Sequence, residues 1–175
     1  MVKLLYILIL IINFNLISFS QGNNDIETII NVFIDHYHVK KLLNQYDNQW
    51  FVDKHDSILI TRNKFRKAES EQYNVLIDSV FMNLNKDYFL KQIKIAKKLF
   101  ITDKILRTKI QLITSLDSID KKNQDFFVIS YPIFSDMTHK FCFLYYSHDI
   151  IGTIDLYMKI DSKWIKIAQT GIWKI

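Results

Sequence analysis

An α+β fold, an antiparallel sheet with a C-terminal β-meander packed by two helices, is what this sequence predicts. Three observations carry that expectation. Residues 126–175 break into four strand-like apolar runs, 126–131, 141–146, 153–160 and 164–173, separated by short polar stretches. The third run alternates, with Ile154, Leu156 and Met158 on one face and Asp155, Tyr157 and Lys159 on the other. That is the period-2 pattern of a half-buried strand. Upstream, two segments repeat apolar residues at helical spacing instead.

The chain opens on Lys3, an unbroken apolar core over 4–12, and Ser18-Phe19-Ser20 before Gln21. A positive start, an apolar core and small residues at the −3 and −1 positions are the grammar of a secretory signal peptide. The apolar run reaches about 16 residues even across Asn13 and Asn15, short of the roughly 20 that a spanning helix needs. The expectation is cleavage near Ser20, export to the periplasm or beyond, and a single domain over 21–175 with no membrane span. Cys142 is the only cysteine, so no intrachain disulfide is available. Its neighbours Phe141, Phe143 and Leu144 predict a buried, unpaired thiol. One Pro and three Gly leave no room for a Gly-rich loop or linker.

Asn24-Asp25-Ile26-Glu27 resembles a capping box, and Ile26, Ile30, Phe33 and Tyr37 follow at helical spacing, predicting a helix from Asp25 to about Leu43. Polar residues 44–48 end it. Residues 57–61 read as a strand, 64–72 as a loop or exposed helical turn, and 73–84 cannot be typed by periodicity. Asn83 or Asn85 before Asp87 marks the next helix, 86–98, with Phe89, Ile93 and Ala96 on one side and Lys91, Lys94 and Lys98 on the other. Residues 109–115 read as a strand and 117–125 as a polar loop. Asp161-Ser162 suits a tight hairpin turn. In the strand that follows, Ile165 and Ile167 share the core face, and Trp164 and Lys166 the wetter one.

The segment DYFLKQIKIAKKLFITDKILRTKIQLI and the later pieces YPIFS, FLYYS and SKW resemble a family of small exported proteins of Bacteroidetes-type bacteria, over about Asp87–Trp173. The resemblance implies one exported α+β domain and assigns no activity. In those relatives the strand ending in Tyr-Tyr runs into a Cys- and Gly-rich hairpin tip. Here the tip is Ser147-His148-Asp149-Ile150-Ile151-Gly152, without Cys. By order of elements alone, the chain also suits a curved, cone-like sheet of the nuclear-transport-factor-2 type.

Motifs for chemistry are sparse. His36 and His38, in Asp35-His36-Tyr37-His38, would point about 200° apart on a helix and could not share an ion. His55-Asp56 and His148-Asp149 are adjacent pairs, but adjacency is not what nucleophilic catalysis requires. Ser130, Ser135 and Ser147 lie in no G-x-S-x-G elbow. Glu27, Glu69 and Glu71 sit in no apolar setting that would raise a carboxyl pKa. Lys91, Lys94 and Lys98, with Lys97 near them, form a basic helix face without interleaved stacking aromatics, which argues against nucleic acid and for a solvated face, with attraction to anionic glycans or lipid headgroups as the alternative. The net charge of +5 reads as spread along the chain. Trp164 and Trp173, nine apart, fall on opposite strand faces if no bulge intervenes.

No catalytic, metal or cofactor residue is assigned on this reading, and the binding residues are unknown. The expected function is a non-catalytic binding or interaction module for a protein or surface component. The alternative is a small hydrolase or isomerase with its site in the concave face of the sheet.

Overall fold

The computed structural model describes residues 24–47, 66–67, 80–81, 84–96, 99–114, 125–149 and 151–174. Expectations placed on 1–20, 57–61 and 117–124, on His55-Asp56, and on most of 64–84 lie outside these residues.

The fold is α+β. Helix α1 covers 24–37, and α2 spans Lys86–Ala96. The strands are β1 (Lys41–Leu43), β2 (Arg66–Lys67), β3 (Gln111–Ile113), β4 (Phe127–Ile129), β5 (Ile133–Phe134), β6 (Phe141–His148), β7 (Ile151–Ile160) and β8 (Lys163–Lys174). They form one mixed sheet in the order β2-β8-β7-β6-β4-β1-β3, with β5 beside β6. Among the described residues, only β1 pairs in parallel, with β3 and with β4. The C-terminal meander is present as expected; β6, β7 and β8 are longer than the apolar runs suggested, while the run 126–131 gives only the three-residue β4.

Helix α1 stops six residues before the expected end. Val39 N–H donates to the Ile34 carbonyl at 3.0 Å while His38 takes φ 51°. This is a Schellman end, and the accompanying apolar contact is supplied by Ile34 and Val39, both in the core. Lys41–Leu43, expected to be helical, pairs as β1 instead, between β3 and β4, where Leu42 and Leu43 are buried. Asn24 is already helical, so it does not cap α1. Asn85 does cap α2: its Oδ1 accepts from Tyr88 N–H at 2.9 Å. Arg66–Lys67, read as loop or helical turn, adds a two-residue strand to β8.

Strands β4 and β5 run along the same side of β6, interrupted at Ser130–Pro132. Pro132 has no N–H to donate. Ser130 bridges the gap, donating its N–H to Tyr145 O at 2.8 Å and accepting Tyr145 N–H on Oγ at 3.0 Å.

Both faces of the sheet are buried. Phe89 and Ile93 of α2 pack with Val80 and Phe81 on Phe143, Ile154, Leu156 and Ile167. Ile29, Ile30, Phe33 and Ile34 of α1 pack on the opposite side chains, Cys142, Leu144, Tyr146, Tyr157 and Trp164. The half-exposed reading of β7 is therefore corrected: Asp155 and Tyr157 are both 0% exposed. The polar residues that mimicked a wet face are a buried network under α1. Cys142 is buried and unpaired, as expected.

Candidate functional site

The network under α1 is the densest ionisable cluster among the described residues. Tyr37 Oη donates to Asp155 Oδ2 at 2.9 Å, and Tyr157 Oη donates to the same oxygen at 3.2 Å. Lys166 Nζ lies 3.5 Å from Asp155 Oδ1 and donates to Gln169 Oε1 at 2.7 Å and to Tyr37 Oη. Tyr146 Oη donates to Tyr37 Oη at 2.9 Å. His36, on the outer side, is 3.3 Å from Lys166 Nζ.

A bulge assembles this cluster. Leu156 pairs with Ala168 and Tyr157 with Lys166, which leaves Ile167 as an extra residue in β8. Ile167 and Ala168 then both face α2, so Lys166 and Gln169, three apart, both reach Asp155 and Tyr37 under α1. Re-aiming side chains in this way is what bulges do, often beside functional sites. The predicted wet face of β8 is corrected by the same geometry: the Lys166 side chain is 8% exposed and Trp164 is core. Ile167 does point to the core, with Ile165 partly buried beside it. The side chain of Trp173 lies outside the described ones, and two register shifts separate it from Trp164.

Burial drives the electrostatics. It pushes Asp155 up to about 6, against the opposing pull of Lys166, Tyr37 and Tyr157. Burial also raises the phenols of Tyr37, Tyr146 and Tyr157, with the Asp155 charge adding to each, so all three stay protonated. A carboxyl titrating near neutrality beside an ammonium and a phenol is a general acid–base set in kind. The Tyr37 hydroxyl, however, has one proton to give and two lone pairs. Asp155 takes the proton, and Tyr146 and Lys166 fill the lone pairs.

A second cluster joins the two helices. Asp25 Oδ1 accepts from Lys159 Nζ at 2.6 Å and from Trp164 Nε1 at 3.0 Å. His139 Nδ1 lies 3.7 Å from Asp25 Oδ2, and its Nε2 is 2.8 Å from Tyr88 Oη. The imidazole stacks on Phe134 at 4.0 Å, and its backbone sits at φ 52°. Burial lowers the His139 pKa against Asp25, and raises that of Tyr88. A phenol made less acidic is a poor nucleophile, and the arrangement serves as a tether. Two buried amides extend the same logic. Gln92 grips the Phe134 backbone at 2.9 and 3.0 Å. Asn31 donates to Ile105 O and accepts from Arg107 N–H, each at 2.7 Å.

That Asn31 anchor holds the 103–110 segment against α1 and shapes an open cleft of about 910 Å³. Its floor is Ile34, Val39 and Ile110, and its rim carries Asp35, His38, Lys40, Lys109 and Gln111. The cleft lies where α1 ends and β3 forms one edge of the strand order.

The residues singled out from sequence are dispersed. His36 meets Lys166, while His38 is on the cleft rim. His148 stacks on Phe127 and lies 3.3 Å from Asp125 and 3.4 Å from Asp149 at an exposed hairpin. Ser130 bridges strands, Ser135 Oγ donates to Asp136 at 2.9 Å, and Ser147 sits in the β4–β6–β7 ladder. Glu27 is exposed on α1, and Lys91 and Lys94 are exposed on α2. None of the three serines joins a His–Asp pair in these contacts. Asp155, Lys166 and Asp25 were not singled out, because their partners are more than 100 residues away in the chain or across a bulge. The one available signal was an Asp in the middle of a strand of large apolar residues.

No protein-family model, curated protein or solved structure matches the chain.

Proposed function

We propose that this protein is an exported, non-catalytic binding module that holds its partner in the cleft between the end of α1 and β3. The observation that carries this reading is where the ionisable groups point. Asp155, Lys166 and Tyr37 satisfy one another inside the core, while the open cleft combines an apolar floor with a mixed-charge rim. Apolar walls with a few polar groups are what binding clefts usually offer. The leader-like order of Lys3, an apolar core and Ser18-Phe19-Ser20 supports export, as does the resemblance to small exported proteins of Bacteroidetes-type bacteria.

The test is capture from a cell-envelope extract by immobilised protein. Wild type and Asp155→Asn should retain the same species, and Lys109→Glu, on the cleft rim, should lose it. The second reading, a small hydrolase or isomerase, draws on the raised Asp155 carboxyl beside Lys166. It predicts the reverse: Lys109→Glu would behave as wild type, and Asp155→Asn would abolish a measurable turnover.

A further inference from the structure

The basic charge is concentrated where the structure also exposes apolar side chains. Residues 86–98 contain five Lys against one Asp, a net +4 in a chain whose total is +5. The rest of the chain is thus close to neutral, which corrects the impression of evenly spread charge. On α2, Phe89, Gln92, Ile93 and Ala96 face the sheet. The opposite side carries Lys91, Lys94 and Ile95, and Leu99 N–H closes the last turn onto Ala96 O at 3.1 Å. Lys91 and Ile95, spaced by four, share one face of α2, and Leu99 and Phe100 follow just past its end. Ile95 is 55% exposed, Leu99 39% and the adjacent Phe100 58%.

Three large apolar side chains held in water at one corner call for a partner. Lysines around them make that partner anionic, and the aliphatic character selects among anionic partners. Two of the three, Ile95 and Leu99, have no ring on which a nucleobase could stack, whereas all three suit insertion among lipid headgroups. We propose that this corner is a peripheral membrane-docking surface for an anionic phospholipid bilayer. Ile95, Leu99 and Phe100 enter the headgroup layer, and Lys91 and Lys94 lie at the level of the phosphates. The protein rests on the membrane and does not cross it through α2, since no helix among the described residues is long and apolar enough to span. This inference is independent of the cleft.

Sedimentation with lipid vesicles tests it. The protein should pellet with vesicles of mixed phosphatidylglycerol and phosphatidylcholine, and far less with phosphatidylcholine alone. Each lysine near an anionic surface contributes about fivefold in affinity, so Lys91→Gln/Lys94→Gln should bind roughly 25-fold more weakly. Phe100→Ser and Ile95→Ser should weaken binding with the charge unchanged, and Lys163→Gln at the start of β8 should have no effect. All five substitutions fall on exposed side chains, so melting temperatures should match wild type. Failure to pellet with anionic vesicles overturns the proposal, as does equal binding by wild type and the Lys91→Gln/Lys94→Gln variant. Binding to single-stranded DNA or to polyglutamate without binding to vesicles would assign the surface to a different anion and equally overturn it.

Discussion

Asp155 sits between a desolvation penalty that favours its neutral form and three donors that favour its charge. Desolvation dominates, raising the carboxyl from about 3.8 to about 6. A carboxyl raised in the fold contributes stability that is full below its unfolded pKa and is lost as pH rises through the folded one. The window here is pH 4 to 6, worth on the order of 2–3 kcal/mol. His139 works in the opposite sense: its lowered pKa gives stability above about 6.5 that is lost on acidification. Whole-protein melting against pH therefore mixes the two, and a variant isolates one. Asp155→Asn should gain on wild type by about 1 kcal/mol between pH 5 and pH 7 in urea unfolding. At Cys142, burial raises the thiol well above its usual range. A thiol reagent should label native protein slowly and unfolded protein at once, with no covalent dimer on a non-reducing gel. The buried thiol was legible from Phe141, Phe143 and Leu144. The Asp155 cluster was not, because alternation reports which side chains share a face and not whether water reaches it.

Turns and helix ends hold the elements in register, and two of them use residues poorly suited to their backbone. Asp161 and Ser162 both have positive φ, 46° and 65°, as a two-residue type I′ hairpin requires. Ser162→Gly should raise stability by about 1 kcal/mol, read from the denaturant midpoint, because glycine adopts that conformation without strain. His38→Gly at the Schellman end of α1 should do the same, by a similar amount. The 161–162 turn was readable from two polar residues between strand runs. The end of α1 was not, since Val39 and Leu42 extend a plausible apolar stripe and only a positive φ at His38 breaks it. Strand β1 has three residues and pairs with β3 seventy positions on. Its existence depends on partners that local pattern does not specify.

On the scale of the whole molecule, the sheet is a middle layer with a helix on each side, and its polar interior holds α1 in place. Both binding surfaces proposed above lie on the perimeter: the cleft at the end of α1 and the basic, apolar corner at the end of α2. The proposed export predicts that N-terminal sequencing of the protein isolated from its cells begins at or near Gln21, and an intact Met1 would refute it. The α+β class, the meander and α2 with its Asn85 cap were legible because each rests on local pattern. The layering required knowing what covers the face carrying Asp155, Tyr157 and Lys166. Lys166 tests that layering most directly. Removing one partner of a buried ion pair typically costs about 3–5 kcal/mol, whereas an exposed lysine such as Lys163 matters by no more than about half a kcal/mol. Urea midpoints at pH 7.5 should show Lys166→Ala destabilised by several kcal/mol relative to Lys163→Ala, with a smaller gap at pH 5, where Asp155 takes up its proton. Equal midpoints for the two variants would put Lys166 in water and contradict the buried network on which this account stands.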